Sequence, residues 1–598
     1  MIKGLRSIKE VVYKLMRILN TEQKRYGILV LITSFLGALF EMFGVSIIIP
    51  LVNSLIEPEQ LLQDKFFGRF FKSYNIIDRN QIVLVVGFGT IILYLAKNVF
   101  FVFLSWVRAK FSSKVQRELS VQMIKSYMNK GYSFFLKGNS GEMIRSVNGD
   151  AKGVYALLNQ SFKCIIESMT IVMICIFILV TDWFMAIGII ILALSCLTII
   201  YGCFKEKLRK QGKLSRSYNA KLNQQTIQIF QGIKEIIVQR KQKFFVKIFE
   251  DTNIAQQRAM VWSAVGTESP AYIIEAICIT GLLGIICIRI SSGQANTSVM
   301  IPSLSAFAVG AFRILPALGR ISSGINSIIF YIPSLNNMYE KFDSMSDENN
   351  IDIQCVADTG ITGLVNEFTL KQISWKYQIG ENNILNNISL TIKKGDSIAI
   401  IGKSGAGKTT LADIMLGLLK PQIGEVLLDG TDIFTIGKEW EHIMGYVPQM
   451  VYITDDSLRK NIAFGLNDEE IDDNKVWKAL EKAQLKQYVL GLEKQLDTIV
   501  GERGIRFSGG QRQRVAIARA LYEEPDILIL DEATAALDNE TENIVMEAIE
   551  HLQGKITLII IAHRLNTIRN CDRIYEVEDG KVWERDKAEF FHDKRSIV

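Results

Sequence analysis

Gly402-Lys403-Ser404-Gly405-Ala406-Gly407-Lys408-Thr409 is a complete G-x-x-x-x-G-K-T run. It follows the apolar Ser397-Ile398-Ala399-Ile400-Ile401 and opens a segment of helical composition, Thr410–Leu419. Glycines at those spacings let bare amides wrap a chain of phosphates, the lysine reaches the β/γ oxygens, and the neighbouring hydroxyl ligates Mg²⁺. The strand–loop–helix setting separates this run from chance glycines, so Lys408 and Thr409 are assigned to phosphate and metal. Further on, Ile527-Leu528-Ile529-Leu530 leads into Asp531-Glu532. A buried strand ending in two carboxylates offers one to the metal and one to water, which makes Asp531 the Mg²⁺ ligand and Glu532 the general base. Gln449, after Gly445-Tyr446-Val447-Pro448, sits where an amide could meet the attacking water. His563, after Ile559-Ile560-Ile561-Ala562, could touch the γ-phosphate. Taken singly, those two are also ordinary structural residues, and His442, His551 and His592 receive only that reading.

A second anion site lies about a hundred residues downstream of the first. Arg506-Phe507-Ser508-Gly509-Gly510-Gln511 opens a run with helical spacing of apolar residues through Leu521. Unpaired amides and the positive end of the helix dipole converge at such a start. Alone, Ser-Gly-Gly is a turn before an amphipathic helix; beside a phosphate cradle in the same chain it asks how one nucleotide uses both sites.

The elements that position these residues fall into two regions. A chain of 598 residues exceeds one core. Its 49% hydrophobic content is concentrated in the first 330 positions. Six stretches, near 27–55, 81–107, 155–181, 183–204, 268–290 and 298–330, reach the roughly 20 residues a bilayer crossing needs. The connections 108–154 and 205–260 are long and rich in Lys and Arg, whereas 182 and 291–297 are short. By the positive-inside rule the N-terminus and both long connections are cytoplasmic, and six spans return the chain to the cytoplasm, where a nucleotide domain must work. The connections are poor in Gly and Pro, so they read as helices running on from the membrane, with turning points expected near Asn148-Gly149-Asp150 and Ser215–Leu222. The net charge of +6 suits loops beside anionic lipid better than a nucleic-acid surface. Cys164, Cys175, Cys196, Cys203, Cys278 and Cys287 lie in apolar runs and read as small hydrophobes, with neither disulfides nor a cysteine metal site expected. The basic start (Lys3, Arg6, Lys9) precedes no cleavable leader pattern.

Two features of the membrane region carry chemistry. Phe66, Phe67, Phe70, Phe71 and Tyr74 recur at helical spacing among Lys65, Arg69 and Lys72. Such a stripe suits either a helix in the outer interface or an aromatic cap on the first two spans. Glu41, Lys97, Glu167, Glu275, Arg313 and Arg320 fall inside spans, where each costs roughly 2.5–3.5 kcal/mol at the bilayer centre. They either pair with one another or, for Lys97, Arg313 and Arg320, line a path for an anionic group. Residues 343–358 are polar and acidic, a linker between a membrane domain at 1–342 and an α/β domain at 359–598.

With these motifs in order, the chain resembles an ABC exporter half-transporter over nearly its whole length. The resemblance implies a polytopic α-helical membrane domain of six spans followed by an α/β P-loop nucleotide-binding domain. It implies an ATP hydrolase coupled to transport, with ATP and Mg²⁺ as cofactors. Tyr377, in Ile373-Ser374-Trp375-Lys376-Tyr377, matches the aromatic that stacks on adenine. Gly402, Lys403, Ser404, Gly405, Ala406, Gly407, Lys408, Thr409 and Thr410 match the phosphate loop, Gln449 the Q-loop residue that also approaches the metal, and Ser508, Gly509, Gly510 and Gln511 the signature. Thr498–Gly504 resembles the exporter X-loop, Asp531-Glu532 ends Walker B, Ala535-Ala536-Leu537-Asp538 is the D-loop and His563 the switch histidine. Phe507 departs from the usual Leu, apolar for apolar. In this family's fold the signature serves the γ-phosphate held by the other copy, which implies a homodimer with two shared ATP sites, and Glu532 and His563 leave no sign of a non-hydrolysing site.

Phe40-Glu41-Met42-Phe43-Gly44-Val45-Ser46 and Phe312–Ile321 further resemble bacterial lipid-linked oligosaccharide flippases, as does the aromatic stretch at 65–74. A polyprenyl-diphosphate substrate gives Lys97, Arg313 and Arg320 a purpose. Ala271 departs from that group, where another basic residue is expected. The implied setting is the bacterial plasma membrane with both termini cytoplasmic. The competing readings are an exporter of peptide, lipid or drug-like substrate, and an ATP-gated channel, which the intact Glu532 disfavours. A soluble ATPase acting on nucleic acid is excluded by the spans.

Overall fold

The computed structural model describes residues 2–56, 67–74, 78–181, 183–291, 297–347, 361–377, 383–437, 439–501, 504–532, 539–562, 568–588 and 590. Two compact units form, one from Met1–Met128 with Lys137–Asn349, the other from Asn129–Leu136 with Asn350–Val598. The linker expected at 343–358 lies largely outside the described residues.

In the first unit, α1 (Ile2–Ile18) and α2 (Thr21–Ser46) are followed by α3 (Ile48–Ile56), α4 (Phe67–Ser73) and α5 (Arg79–Met128). The short α6 (Tyr132–Lys137) belongs, but for Lys137, to the second unit; back in the first, α7 (Ser140–Ile144) and a π-helical turn (Arg145–Asp150) lead into α8 (Ala151–Thr181) and α9 (Trp183–Gln231). The short α10 (Ile233–Val238) precedes α11 (Gln242–Ser291) and α12 (Thr297–Asp347). The 50 residues of α5 make a helix roughly 75 Å long, more than twice the hydrocarbon thickness, so the basic connections do continue membrane helices. Among the described residues, three helices are long and apolar enough to cross a membrane: Thr21–Leu55, Arg79–Met128 and Ser140–Leu179. The other three expected spans fall within α9, α11 and α12, largely on residues whose side chains lie outside the description.

The turning points differ from expectation. The long helices break at 129–131 and 138–139 and at Gly232 and 239–241, not at 148–150 or 215–222. Asn148-Gly149-Asp150, a turn signal by composition, is absorbed into the π turn because Asp150 is a buried pin. Its carboxylate accepts from Arg216 Nε at 3.1 Å and from Asn337 Nδ2 at 2.6 Å. Ser215 and Leu222 lie buried inside the continuous α9.

Two packing devices hold the bundle. Gly37 of α2 leaves room for α5: a Cβ there would stand 3.2 Å from Leu104. Pro270 within α11 lacks the N–H that would bond the carbonyl of Gly266 four residues back. Asn326 of α12, 1% exposed, donates its Nδ2 to that carbonyl at 2.5 Å. The aromatic stripe divides: Phe71 is buried against Ile82 and Val86 with Leu51 alongside, while Phe70 and Tyr74 face outward with rings 5.1 Å apart.

The second unit is built on a six-stranded sheet ordered β10-β9-β3-β8-β7-β6. Its strands are β3 (Ser397–Ile401), β6 (Met444–Val447), β7 (Ile527–Asp531), β8 (Thr557–Ile561), β9 (Arg573–Glu578) and β10 (Lys581–Arg585), parallel except for β10. All five residues of β3, β7 and β8 are buried, as a parallel sheet covered on both faces demands. Alternation then divides them: Ala399, Leu528 and Leu530 enter one apolar cluster, Ile398, Ile400, Ile527 and Ile529 the other. An antiparallel sheet, β2-β1-β4-β5, joins β1 (Glu367–Trp375), β2 (Leu385–Lys393), β4 (Ile423–Leu428) and β5 (Thr431–Asp432).

Candidate functional site

The phosphate loop leaves β3 at Ile401 and enters helix α13 (Lys408–Met415). Gly402 has φ +146, and a Cβ there would lie 2.3 Å from the carbonyl oxygen of Val577. Gly407, the helix N-cap, has φ +103. Only glycine accepts both positions, which is why the loop keeps bare amides where a phosphate would sit. Lys408 is 5% exposed and folds over the loop, its Nζ donating to the carbonyls of Gly402 at 2.9 Å and Lys403 at 3.0 Å. Burial lowers its pKa, opposed by the carboxylates of Glu532 and Asp531.

Strand register brings Gln449 and Glu532, the two residues expected to act on water, together. β6 and β7 run parallel with Val447 opposite Leu530, so two residues further along each strand Gln449 meets Glu532. The amide Nε2 donates to Glu532 Oε2 at 2.5 Å. Glu532 holds φ +48, a left-handed backbone uncommon for a non-glycine residue, and its N–H donates to the Ile561 carbonyl at 2.9 Å. Asp531, 4% exposed, ends β7 beside it. The Thr409 hydroxyl, the Asp531 carboxylate and the Gln449 amide oxygen are donors of the kind a hard divalent cation takes. Tyr377 stands edge-on to Trp375 with centroids 4.3 Å apart, its hydroxyl 3.4 Å from Thr410 Oγ1, which sets an aromatic ring beside the start of α13.

Sequence reasoning missed two residues here. Asp413 lies one turn beyond Thr409 on the same face of α13, and burial, with Asp531 nearby, pushes its carboxyl up to about 6. Its signal was an acidic residue inside the apolar run Leu411-Ala412-Asp413-Ile414-Met415. Tyr132, from the segment 129–136 that belongs to this unit, is held above the ordinary tyrosine value by burial and by the charges of Asp413 and Tyr377.

The signature begins helix α14 (Gly509–Leu521). Ser508 is its N-cap in a capping box: Gln511 N–H donates to Ser508 Oγ at 3.3 Å, and Ser508 N–H to Gln511 Oε1 at 2.8 Å. Ser508 and Gly509 are exposed and Gly510 is buried. Phe507, 4% exposed, packs edge-on to Tyr488 at 5.9 Å, so the phenyl fills an apolar socket. His563, Ala535–Asp538, Glu502 and Arg503 lie outside the described residues.

In the membrane unit four of the six ionisable residues pair, Glu41 with Lys97 and Glu167 with Arg320. Lys97 is 2% exposed, with Nζ 3.1 Å from Glu41 and 4.4 Å from the Tyr94 ring centre. The path reading of Lys97 is not what this geometry offers: its ammonium is enclosed between α2 and α5 and faces a carboxylate. Arg320 bonds Glu167 in a two-pronged pair, Nε at 2.6 Å and Nη2 at 2.9 Å, yet its side chain remains 55% exposed. The side chain of Arg313 lies outside the description.

Comparison with known proteins agrees with these motifs. Residues 27–312 match the ABC transporter transmembrane region, and residues 385–535 match the ABC transporter family. The heterocyst differentiation ATP-binding protein HepA of Nostoc sp. is 28% identical over 579 residues, covering 94% of this chain and 91% of that one. An ATP-dependent lipid A-core flippase of Pseudoalteromonas translucida is 29% identical, covering 87% and 89%, and one of Francisella tularensis 28%, covering 85% and 82%. A bacterial Atm1-family ABC exporter solved with ATP bound superposes with a TM-score of 0.75 over 96% of this chain and 97% of that one, at 21% identity. The membrane helices, the phosphate loop and the paired Gln449 and Glu532 thus belong to one machine, and the chain is an ABC exporter half-transporter that couples ATP hydrolysis to transport.

Proposed function

We propose that two copies of this chain form a flippase of the bacterial plasma membrane, with both termini cytoplasmic, whose substrate is a lipid-linked, polyprenyl-diphosphate oligosaccharide. The observation that carries the reading is Arg320. It is a guanidinium on an apolar span that stays exposed although paired with Glu167, so a substrate phosphate has a cation to engage. A lipid substrate in the broader sense draws support from the relatives named lipid A-core flippases. Those names favour a second reading, a different lipid carried by the same architecture.

Homodimerisation is supported by the signature. Among the described residues, Ser508 bonds within its own helix cap, leaving its exposed hydroxyl hydrogen and the Gly509 amide for a ligand from outside. A partner's nucleotide fits that role. Thr409 and Asp531 would hold Mg²⁺, which would supply positive charge against the phosphates; Gln449 holds Glu532 through Oε2, so that the carboxylate is positioned to take a proton from water. ATP binding would close the two nucleotide domains and turn the spans outward, and hydrolysis would reset them.

Proteoliposomes decide the substrate. ATP-dependent flipping is compared for a polyprenyl-diphosphate oligosaccharide, a phospholipid and a peptide, and the proposal requires the first to be preferred. Arg313→Ala with Arg320→Ala is expected to impair transport while basal ATPase survives; unimpaired transport overturns the basic path.

A further inference from the structure

Arg519 lies eleven residues beyond the Ser508 cap, in the last turn of α14, about 16 Å along the helix. Among the described residues its guanidinium does not meet a carboxylate. Nε donates to the Asn461 carbonyl at 2.7 Å, Nη1 to the Tyr452 carbonyl at 2.8 Å, and Nη2 to Asn461 Oδ1 at 3.2 Å, while the ring of Phe464 lies 4.6 Å from Cζ. Asn461 is fully buried and is itself a hub: its Oδ1 accepts from the Thr454 N–H and hydroxyl at 3.0 Å, and its Nδ2 donates to the Thr454 and Ser457 carbonyls at 3.1 Å.

The segment so gripped follows Gln449. Met450 and Tyr452 are 86% and 66% exposed, while Val451 and Ile453 pack into the apolar core; Arg519 adds a hold on the backbone at Tyr452. Only two residues, Met450 and Val451, lie between Tyr452 and the Gln449 whose amide bonds Glu532. The two ends of α14 therefore face different tasks. Its C-terminal end is tied to the Q-loop of its own nucleotide site, and its N-terminal end presents Ser508.

We propose that Arg519 is a positioning residue that couples the two ATP sites: a shift of Gln449 is passed through the Tyr452 carbonyl to Arg519, and by the rigid helix to Ser508. This rests on the shared-site reading, in which Ser508 serves the partner's nucleotide. A planar fork bonded to two backbone carbonyls and one amide oxygen suits this task, because one rigid group fixes two segments at once.

The test uses the full-length protein in liposomes and compares wild type, Arg519→Lys, Phe464→Leu and Ser508→Arg. Lysine keeps the charge but cannot span three acceptors. Arg519→Lys is expected to bind a fluorescent ATP analogue within about twofold of wild type, while kcat falls about tenfold and the Hill coefficient for ATP drops to about 1. Phe464→Leu, which spares the three hydrogen bonds, should keep cooperativity. Cooperative hydrolysis by Arg519→Lys at a near-normal rate overturns the coupling proposal alone, provided that Ser508→Arg is inactive. Full activity of Ser508→Arg brings down the shared-site reading and the proposal with it. Should Arg519→Lys lose nucleotide binding, hydrogen exchange on Glu532→Gln decides: ATP must protect residues 450–464 and 509–521 together, and protection of the first segment alone overturns the proposal.

Discussion

Gln449 Nε2 lies 2.5 Å from Glu532 Oε2, a contact made where two parallel strands run out of the sheet side by side. The bond holds the carboxylate assigned to act on water, on a backbone that is left-handed at Glu532. Glu532→Gln preserves an amide oxygen for the Gln449 donor and removes only the base. ATP binding should survive, and turnover should fall about 10²–10⁴-fold. Steady-state phosphate release with a parallel binding isotherm measures both, and near-normal hydrolysis would sink the assignment.

The Asp413 carboxyl, raised to about 6 from an ordinary value near 3.8, makes the folded state hold its proton more tightly than the unfolded chain. A group raised in this way favours folding at low pH and loses that advantage as pH climbs from about 4 to 6, with the full penalty above. Asp413→Asn should therefore stabilise the nucleotide unit at pH 8 by on the order of 1 kcal/mol, after allowance for solvent screening, and change little near pH 4. Thermal unfolding of the nucleotide-free protein at the two pH values reads the difference; equal shifts at both would contradict the assignment.

Much of this site could be read from residue order because its geometry is local. A strand of five buried residues followed by glycines and Lys408-Thr409 allows few alternatives, and the structure places each of these where the pattern requires. Asp413 escaped because its neighbours in chain are apolar, and its character comes from Asp531, brought near by the sheet. The turns of the long helices escaped for a related reason. Asn148-Gly149-Asp150 has the composition of a turn, but Arg216 and Asn337 arrive from two other helices to bury its carboxylate. Lys97 is legible as a membrane cation, whereas its enclosure with Glu41 depends on how α2 and α5 cross, where Gly44 admits the lysine chain to within 3.3 Å of a virtual Cβ.

That enclosure has an energetic consequence. Removing one partner of a buried ion pair strands the other, at a cost of roughly 3–5 kcal/mol, whereas an apolar replacement of both can be neutral. Glu41→Gln and Lys97→Met should each lower the melting temperature in detergent sharply, and the double variant should recover much of the loss. Singly harmless substitutions that nevertheless abolish transport would return Lys97 to the substrate path.

Asn326 makes a similar test possible at Pro270. The proline leaves the Gly266 carbonyl without its helical donor, and the Asn326 amide supplies one from α12. Asn326→Leu should destabilise by about 1–3 kcal/mol, the cost of an unsatisfied buried carbonyl. In a Pro270→Ala background the restored N–H at position 270 can bond Gly266 itself, so the same Asn326→Leu change should cost much less. Unfolding monitored for the four proteins of this cycle isolates the coupling, because effects of each substitution that do not involve the carbonyl cancel. An equal loss in both backgrounds would mean that Asn326 acts by filling space and that the Gly266 carbonyl is satisfied by other means.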